Sequence, residues 1–144
     1  MKKAWIPVLA VVVLLIGFVV SIPLVNDFSA KRVEKQLREI PLPHNTEIVE
    51  AMSMAGKLVG NGNGMQYFGA VLIRSEQTLE ELFVYYFQKN PAIVVKEQKT
   101  QKIEWVEHEN LSFHTNITDE EDYYIVYLFG SGIAPFSQLD IRGH

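Results

Sequence analysis

The chain predicts an α+β fold: an N-terminal transmembrane helix, then a small domain with one helix packed on an antiparallel sheet, in the order β-β-α-β-β-β-β. Three observations carry that expectation. Residues 4–25 hold no charge. Thr78 and Glu81 form a capping box that opens a helical apolar stripe. On either side of that stripe, strand-length apolar runs alternate with short polar turns, as in a meander.

The uncharged run AWIPVLAVVVLLIGFVVSIPLV has 22 residues. At the helical rise it reaches roughly 33 Å, against a hydrocarbon core of about 30 Å. A secretory signal has an apolar core of about 7–15 residues and a small-residue cleavage site. This run is longer and no A-x-A site follows it; a cut after Ser21 would leave Pro23 second in the mature chain. Retention as a signal anchor is the reading, with the lipid bilayer as partner of residues 4–25. With no cysteine there is no thiol for a lipoprotein acyl chain. Counting Lys31, Arg32, Lys35 and Arg38 against Lys2 and Lys3 alone favours a cytoplasmic C-terminal domain. A two-residue basic head before an immediate apolar run is instead the form of an exported N-terminus. The expectation is a single-pass cell-membrane protein of bacterial type with its C-terminal domain extracytoplasmic.

Residues 26–43 read as a juxtamembrane helix and a proline-containing linker. Phe28, Val33, Leu37 and Ile40 fall near one side of that helix. It reads either as a basic amphipathic helix on anionic headgroups or, the favoured reading, as a continuation of the membrane helix with solvated charges. Pro41 and Pro43 end it, because proline removes a donor and restrains the residue before it. The organisation is therefore 1–25 anchor, 26–43 juxtamembrane helix and linker, and 44–144 α+β domain. Residues 41–144 are expected to fold without the anchor and without metal.

In the domain, Thr46–Met54 and Met65–Arg74 read as strands around GKLVGNGNG, whose Asn-Gly pairs favour tight reversal. Leu79, Leu82, Phe83, Tyr86 and Phe87 give the helical stripe, and Asn90-Pro91 stops it. Four further strands are predicted at Ala92–Glu97, Ile103–His108, Leu111–Ile117 and Tyr123–Phe129. The last, YYIVYLF, is apolar on both faces and is placed centrally. The tail from Gly130 is ambiguous, with Ser137 able to cap a short turn.

Charge excludes some functions. From His44 to His144 there are seven basic and fourteen acidic residues, a balance of −7 that argues against nucleic acid and anionic wall polymers. Absent cysteine removes disulfides, thiolate nucleophiles and cysteine metal sites.

Four features remain. The loop Gly60–Gly64 superficially resembles a phosphate cradle, but it leads into a strand rather than a helix and no Walker lysine follows. It reads as a hairpin turn whose secondary role is recognition, with Asn61, Gly62, Asn63, Gly64 and Tyr67 as candidate ligand-binding residues. His108 and His114 point to opposite faces across a two-residue turn, and neither His44 nor His144 marks a site, so no metal is expected. Asp119–Asp122 lacks the spacing and glycine of an EF-hand loop. Tyr85, Tyr86, Tyr123, Tyr124 and Tyr127 serve the core first. No nucleophile elbow is present, and no catalytic residue or cofactor is assigned.

Through GNGNGMQYFGAVLIRSEQTLEEL, over about Pro41 to Leu82, the chain resembles small single-span membrane-anchored proteins of Gram-positive bacteria. The resemblance implies a membrane-tethered domain and carries over no functional residue. Two function classes follow. The favoured one is a non-catalytic envelope module binding a protein partner or cell-surface ligand through the Gly60–Gly64 loop. The alternative is a small membrane-anchored hydrolase whose acids and a histidine converge only in the fold, such as Glu47 or Glu50 near His114.

Overall fold

The computed structural model describes residues 5–130 and 134–144. Helix α1 spans Trp5–Arg38, followed by β1 (Thr46–Gly56), β2 (Gln66–Ser75), α2 (Leu79–Lys89), β3 (Val94–Glu97) and β4 (Tyr123–Phe129). Two short 3-10 turns, Ser137–Leu139 and Ile141–Gly143, close the described chain. The fold is α+β, with a four-stranded antiparallel sheet in the order β1-β2-β4-β3. Because β4 pairs antiparallel with both β2 and β3, the β2-α2-β3 segment is a crossover with β4 inserted between its strands. The apolar run YYIVYLF is thus an inner strand, and Tyr123 through Leu128 are all buried.

Helix α1 has two halves with different surroundings. From Trp5 to Val20 its side chains are exposed, and the helix as a whole, Trp5–Arg38, is long and apolar enough at its N-terminal end to cross a membrane. From Ile22 onward a stripe of Ile22, Asn26, Ala30, Val33, Glu34 and Leu37 is buried against β1, β2 and β4. The helix of residues 26–40 anticipated from sequence is, as the favoured reading had it, a continuation of the long N-terminal helix with its basic side chains Lys31, Arg32, Lys35 and Arg38 exposed; its other face is buried, which that reading did not anticipate. It continues α1 without a break and supplies the domain's own core, while Phe28 points outward. The approach is close because two glycines face it. A Cβ on Gly69 would lie 2.4 Å from the Glu34 amide nitrogen, and one on Gly130 would lie 2.6 Å from a Val33 methyl. Glu34 itself is buried and is paired with Lys31 and Arg38 on its own helix.

The sheet is the middle of three layers. On one face Tyr67, Val71, Ile73, Tyr124 and Val126 pack under α1 and α2. On the other, Phe68, Leu72, Ile125 and Tyr127 are covered by Leu58, Ile103, Val106, Leu111 and Phe113. The segment that supplies those last four residues was expected to form two strands, Ile103–His108 and Leu111–Ile117. It forms an irregular plug with one bridge, Lys102 to Ser112. The plug is held residue by residue: Ile103 N donates to Leu111 O at 2.9 Å and Phe113 N to Gln101 O at 2.9 Å. Gln98 Nε2 donates to Thr100 O and Lys102 O. Short apolar runs look alike whether they pair in a ladder or lie over one.

Helix α2 begins where its capping box predicts. Thr78 Oγ1 accepts from Glu81 N at 3.3 Å, and Glu81 Oε2 accepts from Thr78 N at 2.9 Å. Leu82 and Tyr86 face the core, whereas Phe83 and Phe87 pair with tilted rings on the outer side.

Candidate functional site

The β1–β2 connection is fixed at its base and open at its tip. Gly60 and Gly64 hold φ of 76° and 140°, the left-handed side that suits glycine, while Gly62 does not. Gln66 braces the loop from within: Leu58 N and Val59 N each donate to its Oε1 at 2.8 Å, and its Nε2 donates to Val59 O. The plug holds it from the side, since Gly60 N donates to Glu107 Oε2 and the His108 ring meets Gly60 O at 2.8 Å. The C-terminal turn holds it from below through Gly64 N to Gly143 O and Lys57 N to Arg142 O. Asn61, Gly62 and Asn63 are exposed. Among the described residues, neither asparagine amide makes a hydrogen bond. Tyr67, the fifth candidate, lies elsewhere: it is 5% exposed and its hydroxyl donates to Asn26 Oδ1 at 2.7 Å.

That bond leads into a polar junction which sequence reasoning missed. Asn26 is fully buried and donates through Nδ2 to Asp140 Oδ2 at 2.9 Å. Arg142 donates from Nε and NH2 to the two Asp140 oxygens, from NH1 to Asp27, and from NH2 to Pro23 O. The hydrogen bonds from Arg142 hold Asp140 at a pKa of about 2 against the opposing effect of burial. Burial pushes the Tyr67 hydroxyl up, and the Asp140 charge adds to that. The junction joins the C-terminal turn to α1 just where the helix passes from exposed to packed. Its one sequence signal is Asn26, in helical phase with Ala30, Val33 and Leu37 at the end of the uncharged run.

The fold does bring Glu50 and His114 together, with His114 Nδ1 3.0 Å from Glu50 Oε1. Glu50 also accepts from the backbone amides of His114 and Thr115 and from Thr115 Oγ1. Burial opposes its charge, but these donors outweigh burial and bring its pKa from 4.5 to about 2. A carboxylate so occupied ties the plug to β1, and the His114 side chain beside it is 96% exposed. Glu47 lies apart, ion-paired with Arg74, whose guanidinium also meets Glu121. Among the described residues, no three His, Asp or Glu side chains converge as a metal ion would require. The tyrosines serve the core: Tyr123, Tyr124 and Tyr127 are buried, burial drives Tyr86 up to about 12, and Tyr85 donates to Pro41 O.

A scan against protein-family models found no match, and searches of curated proteins and of solved structures likewise found no significant match.

Proposed function

We propose that this chain is a single-pass, membrane-tethered, non-catalytic module of the cell envelope. In this reading residues 5–25 cross the bilayer, the domain is extracytoplasmic, and the Asn61–Gly64 tip engages a protein partner or surface ligand. One observation carries the tether. The helix that exposes an uninterrupted apolar surface over Trp5–Val20 is the same helix that forms the core from Ile22 to Leu37. An uncharged apolar run of 21 residues, Trp5–Val25, whose side chains are exposed over most of its length finds its solvent in lipid. The tip is supported by contrast with its base. Backbone and glutamine bonds fix the frame, and two asparagine amides are left facing solvent.

The hydrolase alternative draws its one support from the Glu50–His114 contact, and the saturated carboxylate weakens it as a general base. Two fusions after His144 test the topology in a bacterial host, one to alkaline phosphatase and one to green fluorescent protein. Phosphatase activity without fluorescence is expected, and the reverse result relocates the domain to the cytoplasm. Photo-crosslinkers placed at Asn61 and Asn63 in intact membranes test the recognition tip. A discrete crosslinked species absent from a Glu80 control is expected.

A further inference from the structure

The C-terminal turn carries apolar side chains that the domain does not use. Leu139 is 53% and Ile141 86% exposed, and Phe136 adopts φ 66°, a left-handed conformation that bulky side chains rarely take. The Phe136 ring meets the Phe18 ring edge-on with centroids 5.4 Å apart. Phe18 lies seven residues before Val25, the last residue of the uncharged run, and so about 10 Å inside its end along the helix. The turn cannot drift from this level, because Asp140 bonds Asn26 and Arg142 bonds Pro23 O and Asp27.

Helix length then decides where the bilayer must reach. If the hydrocarbon ended at Phe18, the fifteen uncharged residues between Lys3 and Val19 would cover, as a helix, only about 22 Å of a core of about 30 Å. A bilayer spanned by this helix therefore extends past Phe18 and meets Phe136. Two amides of the turn bond within it, Ser137 to Ala134 and Leu139 to Phe136, which suits the turn to the half-wet interfacial layer rather than to the hydrocarbon centre. Above the side chains of Phe136, Leu139 and Ile141, the ion-paired Arg142, Asp27 and Asp140 form the polar edge.

We propose that residues 134–141 are a second membrane contact, a foot that inserts Phe136, Leu139 and Ile141 into the interfacial layer of the leaflet beside the domain. This rests on the reading of residues 5–25 as a span. The foot fixes how the domain stands on the bilayer. It also brings the Asn61–Asn63 tip, tied to Gly143 through Gly64, to the membrane-facing end.

The absence of cysteine makes a direct test simple. Single variants Ile141→Cys, Val13→Cys and Glu80→Cys of the full chain, each carrying an environment-sensitive fluorophore, are reconstituted in phosphatidylcholine–phosphatidylglycerol vesicles. Brominated lipids then report contact with acyl chains. Ile141 is so exposed that its replacement leaves the packing intact. The expected result is blue-shifted emission and quenching at 141 several-fold above that at 80 and approaching that at 13. Quenching at 13 with 141 matching 80 overturns the foot and leaves the span standing. Unquenched probes at both 13 and 141 overturn the span reading itself, and the foot with it.

Discussion

Gly69 shows how one missing side chain sets the distance between layers. Because a Cβ there would press into the α1 backbone at Val33 and Glu34, the helix has no flexible atom with which to yield. Glycine-to-alanine changes at relaxed sites stabilise by about 0.4–1 kcal/mol. Gly69→Ala is expected to reverse that sign and cost about 1–3 kcal/mol by overpacking, seen as a lower Tm of the detergent-solubilised chain. In the Gly60–Gly64 loop, Gly60→Ala and Gly64→Ala meet positive φ and should each cost about 1–2 kcal/mol. Asn61→Ala with Asn63→Ala should leave Tm nearly unchanged, since their amides hold nothing in place.

Glu50 gives the residue scale a pH dependence. Its folded pKa is depressed from 4.5 to about 2, so the stability it contributes is complete above about 4.5 and fades as pH falls toward 2. Asp140 adds a smaller term of the same sign, from 3.8 to about 2. Glu50→Gln places an amide donor against two backbone donors and should cost about 1.5–3 kcal/mol at neutral pH. Denaturant melts between pH 2 and pH 5 should show a shallower acid loss in this variant than in the parent chain. Parallel slopes would mean that Glu50 does not titrate as a clamp.

At the scale of elements, what could be read from the chain and what could not divide on physical lines. Helix α2 was legible because a capping box and a stripe are local signals, and β2 and β4 because continuous apolar runs fit inner strands. The plug was not legible. Leu111 and Phe113 are spaced as in a strand, yet the segment's backbone donors scatter: Phe113 N to Gln101 O, Glu107 N and His108 N to Leu58 O, and His114 N and Thr115 N to the Glu50 carboxylate. The continuation of α1 with solvated charges was legible, but its buried face was not, because Asn26 and Glu34, two polar residues, lie in that stripe. The Asn26–Tyr67–Asp140–Arg142 junction joins residues 114 positions apart, and no spacing rule reaches that far. The same logic gives Thr78→Ala a purely local effect. It should lower stability by about 1 kcal/mol through loss of the N-cap, and circular dichroism at the melting midpoint should show the whole domain still unfolding as one unit.

At the scale of the molecule, the question is where the folding unit begins. Proline punctuation at Pro41 and Pro43 suggested a unit starting there, yet the layer that covers Tyr67, Val71 and Leu128 comes from Ala30, Val33 and Leu37, upstream of it. Removing residues 1–40 strips that layer and leaves Asp140 and Tyr67 without Asn26. Each buried valine or leucine contributes about 1.5–3 kcal/mol by transfer from water, and domain stability is only about 5–15 kcal/mol in total. A fragment of residues 41–144 is therefore expected to lack a cooperative thermal transition. A fragment of residues 22–144, which keeps the packed half of α1 and omits most of the exposed apolar half, should show one, with the same midpoint in EDTA. A cooperative melt of the shorter fragment would mean that the sheet and plug suffice alone. The packed half of α1 would then be a docked stalk, free to leave the sheet, and the bilayer-facing geometry of the C-terminal turn would no longer follow from the fold.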